Sequence, residues 1–355
     1  MFCCSALLGL TTLTLSSTAE AANLTLSTEY SGRSFFSAWT FYSGPDTNTT
    51  GNVLYQSFEQ ATSSKLAFVN DAGNAIIKVD NTTSGVGDPN FGRPSVKMYS
   101  NATVSQGSLV VMDALHVPYG CSVWPAFWMQ GSNWPVDGEI DMFENVNQAT
   151  NNRYTLHTTD GCTHPDNSSS SSIETGTVIS TDCFNATADN QGCSVQDPST
   201  SSYGAGFASN GGGVYAMLWD DDISVWFFSR SSIPTDIASP NPDNWGTPTA
   251  FWPKSSCDAS KFFKDQTLIF DITLCGNFAG EAAVFAQTCS GTCTDLVQTP
   301  SNYDTAYFEV QYVRVFTGEP LSSAARASGI TSTTVLSIGV AALVSVFGSF
   351  LTAYF

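Results

Sequence analysis

From residue 51 onward the chain is a succession of short apolar runs separated by Gly, Pro, Asn, Asp and Ser. The runs at 51–56, 66–69, 75–79, 95–98, 108–112, 154–158, 214–218, 223–228, 268–274 and 307–316 are rich in β-branched and aromatic residues. Such runs between turn residues read as strands. Helical periodicity of useful length is hard to find before the last twenty or so residues. The pattern predicts an all-β fold: an antiparallel β-sandwich, a jelly roll in which each sheet buries one face and one sheet forms a concave substrate cleft.

No linker, fixed-period repeat or charge block interrupts the chain between residues 23 and 316, so residues 22–320 are expected to form one domain. A serine-rich tract at 168–172 has nothing to bury and reads as a loop tip. Residues 240–253 carry Trp245 and Trp252 among four prolines and read as an ordered lid, with its contact to substrate left open. At the N-terminus an apolar run too short to span a bilayer precedes Ala19-Glu20-Ala21, so residues 1–21 read as a signal peptide, although no Lys or Arg precedes the run. At the other end, Ser322, Ser323, Ala324 and Ala325 lead through a polar spacer into an apolar tail. That order, over residues 321–355, matches a glycosylphosphatidylinositol attachment signal, and a retained membrane helix is the alternative.

Composition narrows the partners. The net charge is −19, from 31 acids against 12 Lys plus Arg, so the electrostatic footprint of a nucleic-acid binder is missing. With charged residues at 12% the surface is largely neutral and polar, which suits an extracellular protein and neutral ligands such as sugars. Removal of Cys3 and Cys4 with the signal peptide leaves Cys121, Cys162, Cys183, Cys193, Cys257, Cys275, Cys289 and Cys293. An even count in an oxidising compartment predicts disulfides rather than a metal cluster. Cys183/Cys193 and Cys289/Cys293 are close enough to staple local loops. Cys121 and Cys162 flank the acidic stretch described next and are placed to tie its neighbouring strands together. Eight cysteines allow on the order of a hundred connectivities, so the pairing stays open. Asn-x-Ser/Thr acceptors at Asn23, Asn48, Asn81, Asn101, Asn167 and Asn185 agree with secretion.

The chemistry concentrates in Gly138-Glu139-Ile140-Asp141-Met142-Phe143-Glu144-Asn145, where three carboxylates sit among apolar residues. On a helix Glu139 and Glu144 would diverge by about 140°. On a regular strand Glu139 and Asp141 share a face and Glu144 points the other way. A β-bulge at Met142-Phe143 restores Glu144 to the same side. The stretch therefore demands a bulged strand on a concave sheet. Two glutamates flanking a bound sugar can then carry out double-displacement hydrolysis, for which carboxyl groups about 5–5.5 Å apart are needed. Asp141 between them would share a proton with the nucleophile and raise the pair's pKa by like-charge repulsion. A calcium site is the competing reading, disfavoured by the apolar residues between the acids and the absence of a Gly-rich wrap. Just upstream, Trp124 and Trp128 lie four apart on one strand face and make a stacking platform for sugar rings, unless they are core tryptophans. Trp134 precedes the acids and is placed to add a wall.

These residues resemble the family 16 glycoside hydrolases of the fungal laminarinase type. The resemblance is carried by Trp124-Pro125-Ala126-Phe127-Trp128, by Gly138 to Glu144, and by Tyr154-Thr155-Leu156-His157-Thr158 with Gly161-Cys162. Weaker matches are Gly92-Arg93-Pro94-Ser95-Val96, Asn190-Gln191-Gly192-Cys193 and segments near both ends. It implies a β-jelly roll and retaining endo-hydrolysis of β-1,3- or mixed-linkage β-1,3-1,4-glucan. It casts Glu139 as nucleophile, Asp141 as its assisting acid and Glu144 as acid/base. Trp124 and Trp128 become the glycone-side platform, Arg93 a cleft arginine and His157 the histidine beside the acid/base. No cofactor is required, and a structural calcium is possible but not indicated. The expected partner is a β-glucan polysaccharide, met by a monomer that touches membrane only through its lipid anchor. The spacing of the glutamates is the longer one, which favours hydrolysis over glucan transfer, although a wall-facing transglycosylase stays open. A lectin-like glucan-binding protein is the alternative of another class, and the presence of both glutamates speaks against it.

Overall fold

A strand that is apolar on both sides must be covered on both faces. Ser108–His116 is buried at every position but Leu115, and it sits in the middle of an eight-stranded sheet. Its Val110 and Met112 face the main core, while Leu109 and Val111 face a second cluster with Trp226, Trp245 and Phe316. The structure is a computed structural model in which residues 24–88, 90–166 and 173–318 are described. The signal peptide, the C-terminal segment, the serine-rich tract and the acceptors Asn23 and Asn167 lie outside the described residues. Among the described residues no helix is long and apolar enough to cross a membrane.

Two eight-stranded sheets make the sandwich. One runs Ala250–Trp252, Ile223–Ser229, Gly213–Trp219, Ser108–His116, Tyr307–Thr317, Ala75–Lys78 and Ala67–Val69, with Thr25–Ser31 also pairing to Tyr307–Thr317. The other runs Thr177–Val178, Cys193–Gln196, Arg153–His157, Glu139–Glu144, Val123–Gly131, Gln266–Leu274, Lys97–Val104 and Trp39–Phe41. Every pairing within these two sheets is antiparallel. The expected antiparallel jelly roll is therefore the fold, and each of the ten apolar runs contributes to a strand, with ends shifted by a few residues. The strands that periodicity passed over are mostly short, such as Trp39–Phe41, Thr177–Val178 and Ala250–Trp252. Two or three residues hold too little alternation to stand out.

Between the sheets the core is aromatic. Phe143 stacks on Tyr203 at 5.3 Å and meets Tyr215 and Phe308 edge-on, each at 5.5 Å. Phe270 stacks on Phe127 at 4.3 Å, and both come from the second sheet. The segment read as a lid covers the outer face of the other sheet: Trp245 packs edge-on against Trp226 at 5.5 Å. Neither Trp245 nor Trp252 lines the cleft.

The disulfides join Cys121–Cys289, Cys162–Cys257, Cys183–Cys193 and Cys275–Cys293. The local staple at Cys183/Cys193 is present, and the one at Cys289/Cys293 is not. Cys293 opens the helix Cys293–Val297 and turns inward to Cys275, so Cys289 is left to reach Cys121. Cys121 and Cys162 do not tie the strands beside the acidic stretch together: each bonds instead to a residue far along the chain, Cys289 and Cys257.

Phe143 has no exposed surface and three aromatic neighbours. Phe143→Ala is expected to cost about 3–5 kcal/mol, read as a lower denaturation midpoint at unchanged denaturant slope.

Candidate active site

The acidic strand carries the bulge that its spacing demands. On one side Phe143 pairs with Phe127 and Asp141 with Trp128, so Met142 is the extra residue. On the other side the register breaks between Asp141 and Glu144. Met142 and Phe143 both enter the core, and Glu139, Asp141 and Glu144 all line one cleft of about 930 Å³. Alternation does the rest on the neighbouring strands. Trp124, Ala126, Trp128 and Gln130 face the cleft from one side, and Arg153, Thr155 and His157 face it from the other.

Each acid has its own surroundings. Trp124 Nε1 donates to Glu144 Oε1 at 2.7 Å, and Trp134 Nε1 donates to Glu139 Oε2. Burial raises the Glu144 pKa above the usual carboxylate range, and the Trp124 hydrogen bond opposes the shift. Asp141 is raised well above that range by burial, reinforced by the charge of Glu139. His157 Nε2 lies 3.4 Å from Asp141 Oδ2. The contact is electrostatic rather than an aligned hydrogen bond, since Oδ2 is buried with no aligned donor. Burial pulls the His157 pKa down, but Glu139 and the two other carboxylates outweigh it and bring it up to about 9. Asn190 Oδ1 lies 3.1 Å from His157 Nδ1 and fixes the ring from behind.

Glu139, Asp141 and His157 bring one ligand atom each to within 4.8 Å of one another, the closest approach to a metal donor set in the cleft. A histidine held protonated by its carboxylate neighbours has no free lone pair on Nε2 for a cation. The other cluster of potential ligands, Cys162, Cys183 and Cys193, is committed to disulfides.

Arg93, expected in the cleft, is not there. It is fully buried, and its guanidinium donates twice to Val297 O, at 2.8 and 2.6 Å, and to the carbonyls of Asp80 and Thr83 at 2.9 and 3.0 Å. Its ring contacts are with Phe91 and Tyr303. The arginine that lines the cleft is Arg153, three residues past the turn and in phase with Thr155 and His157. That phase was available in the sequence. Lys97 and Asp271 were not foreseeable: they face each other across two strands far apart in the chain. Lys97 Nζ approaches Asp271 Oδ2 at 3.7 Å, and Asp271 Oδ1 accepts from Trp128 Nε1 at 2.8 Å.

A long groove with paired acids and an aromatic floor, on the concave face of a jelly roll, is the layout of a protein that cleaves or rebuilds polysaccharide chains. The particular lineage follows from comparison. The model of the XgeA-like catalytic GH16 domain matches residues 39–316, and the chain belongs to glycoside hydrolase family 16. It is 38% identical over 304 residues to a Schizosaccharomyces pombe protein named "Probable glycosidase", covering 84% of this chain and 70% of that one. It is also 38% identical to a "Probable endo-1,3(4)-beta-glucanase" of Aspergillus niger, covering 88% of this chain but only 43% of the relative. The chain thus spans less than half of that longer protein. Among solved structures, GH16 laminarinase 16A of Phanerochaete chrysosporium, with 6-O-glucosyl-laminaritriose in its donor and acceptor sites, superposes with a TM-score of 0.77 at 38% identity. The match covers 83% of this chain and 99% of that one. An elongating family 16 β-1,3-glucosyltransferase superposes with a TM-score of 0.76, also at 38% identity, over 83% of this chain and all of its own.

Two outcomes test this description. Arg93→Met strips four hydrogen bonds from buried carbonyls and is expected to cost about 2–4 kcal/mol of stability while leaving the cleft's ligand affinity unchanged. The raised His157 pKa contributes stability that is complete below the unfolded value of 6.5 and is lost as pH rises through about 9. Asp141 and Glu144, also raised, act in the same direction. Denaturation midpoints should therefore fall between pH 6.5 and about 9, and His157→Asn should flatten that fall.

Proposed function

We propose that the chain is a retaining endo-glucanase acting on β-1,3- or mixed-linkage β-1,3-1,4-glucan. The observation that carries the reading is the bulged strand that turns Glu139, Asp141 and Glu144 into one cleft beside Trp124 and Trp128. The names of its relatives, endo-1,3(4)-beta-glucanase and laminarinase, support the substrate class.

The roles follow from the surroundings of each acid. Burial raises the Glu144 pKa, which favours the protonated form a general acid needs, and the Trp124 indole on Oε1 leaves Oε2 to carry the proton. Glu139 accepts a hydrogen bond from the Trp134 indole, which orients its carboxylate toward the bound sugar. In the first step Glu139 attacks the anomeric carbon, the glycosidic C–O bond breaks, and the Glu144 proton passes to the leaving oxygen. Water then attacks the same carbon, gives a proton to Glu144, and the ester to Glu139 breaks. Asp141, whose pKa is pushed well up by burial and by the charge of Glu139, is placed to share a proton with the nucleophile, and His157 lies against its other side. No cofactor is needed for either step. Four disulfides in the described residues suit an oxidising compartment, which supports a secreted enzyme.

Transfer in place of the water step is the second reading, supported by the similarity to the elongating glucosyltransferase. Supplying an oligosaccharide acceptor and following the length of products separates the two.

Glu139→Gln is expected to abolish release of new reducing ends from laminarin, and appreciable turnover by the folded variant would sink the assignment. Glu144→Ala should lose most activity on laminarin yet retain much of it on aryl glycosides, whose leaving groups need no acid.

A further inference from the structure

Arg153 brings a charge into the cleft that feels Glu144 and lies over Phe278 but has a buried nitrogen with no hydrogen-bond acceptor. Its Nε is buried with no acceptor among the described residues, whereas every nitrogen of Arg93 has one. A half-buried guanidinium left in this state costs free energy unless a ligand supplies the acceptors.

Its position says which part of a ligand does so. The cleft is lined from Lys97 and Asp271 at one end to Gln196 at the other, so it crosses six successive strands of the concave sheet. At about 4.8 Å per strand that is a groove of about 24 Å, long enough for several sugars laid across the strands. Glu144 pairs with Ala126 on one side and with Arg153 on the other. A glucan that rests on Trp128 therefore passes Glu144 and comes next to Arg153. Phe278 stands at the same place. Its ring meets Trp124 edge-on at 5.4 Å and lies 5.7 Å from the Arg153 guanidinium. The segment that carries Phe278 is pinned by Cys275–Cys293 and Cys121–Cys289, so the ring is presented by a fixed element.

We infer that Arg153 and Phe278 form the binding site for the sugar on the leaving-group side of the cleaved bond. The planar guanidinium donates to two hydroxyls of that sugar, and the phenyl ring covers one of its C–H faces. Lysine cannot reproduce the fork. The inference rests on the glucanase reading above, with the glycone on the Trp128 side. The same site receives the incoming sugar when the glycosyl-enzyme is intercepted by an acceptor in place of water.

That partition is the test. With 4-nitrophenyl β-laminaribioside as donor and laminaribiose as acceptor, the ratio of transfer to hydrolysis is measured against acceptor concentration for the wild type, Arg153→Met, Arg153→Lys and Phe278→Ala. Both products come from one intermediate and Glu144 is the base for both, so any effect of Arg153 on Glu144 cancels in the ratio. Arg153→Met and Phe278→Ala are expected to need roughly tenfold or more acceptor to reach the wild-type ratio, with Arg153→Lys close to the methionine variant. Phe278 lies half-exposed on the cleft wall, so its variant stands as the test if Arg153→Met fails to fold. Unchanged ratios, or a wild type that makes no acceptor-dependent product, overturn the inference. A wild type that does not cleave the donor at all removes the glucanase reading itself, a different failure visible in the nitrophenol signal.

Discussion

Everything in the cleft depends on one extra residue in one strand. Without Met142 as a bulge, the pleat that points Glu139 and Asp141 into the groove would send Glu144 into the core. The bulge resolves a conflict between packing and chemistry, because Met142 and Phe143 both turn inward to fill the space between the sheets. Phe143 sits against aromatic rings from three other segments, so the irregularity is anchored by the densest part of the core. The position of Glu144 is thus a consequence of how two apolar side chains pack.

A second constraint is electrostatic. This chain has few cations, yet it gathers five carboxylates in one cleft. Three of them accept a hydrogen bond from a tryptophan indole: Glu144 from Trp124, Glu139 from Trp134 and Asp271 from Trp128. An indole N–H is a neutral donor. It satisfies one oxygen without supplying a positive charge, and burial is left free to raise Glu144. The same hydrogen bonds lock the rings that line the cleft. Orientation of the platform and tuning of the acids are therefore one arrangement.

The fold and the acids were legible because both rest on local periodicity. Alternating apolar runs announce strands wherever they exceed about four residues, and the two-residue period makes the bulge a necessity rather than a guess. Trp124 and Trp128 were legible for the same reason. Arg93 misled because a motif match carries no information on burial: its segment enters a small sheet with Val53–Tyr55, and its side chain meets carbonyls from 80–83 and 297. The disulfides misled in a similar way, since Cys289 and Cys293 are near in sequence but face opposite directions once a helix begins between them. Trp245 of the segment read as a lid faces the back of the molecule, because an apolar strand face there had to be covered, while Trp252 enters the main core.

The sequence by itself determined the antiparallel strands, the bulge and the face on which Glu139, Asp141 and Glu144 emerge, since each follows from backbone geometry within one segment. The tertiary structure decided which distant side chains meet them. Lys97 beside Asp271, Trp134 on Glu139, Asn190 behind His157 and Phe278 above Arg153 are all products of strand order and loop closure. Those depend on pairings between residues far apart in the chain, where no local period can reach.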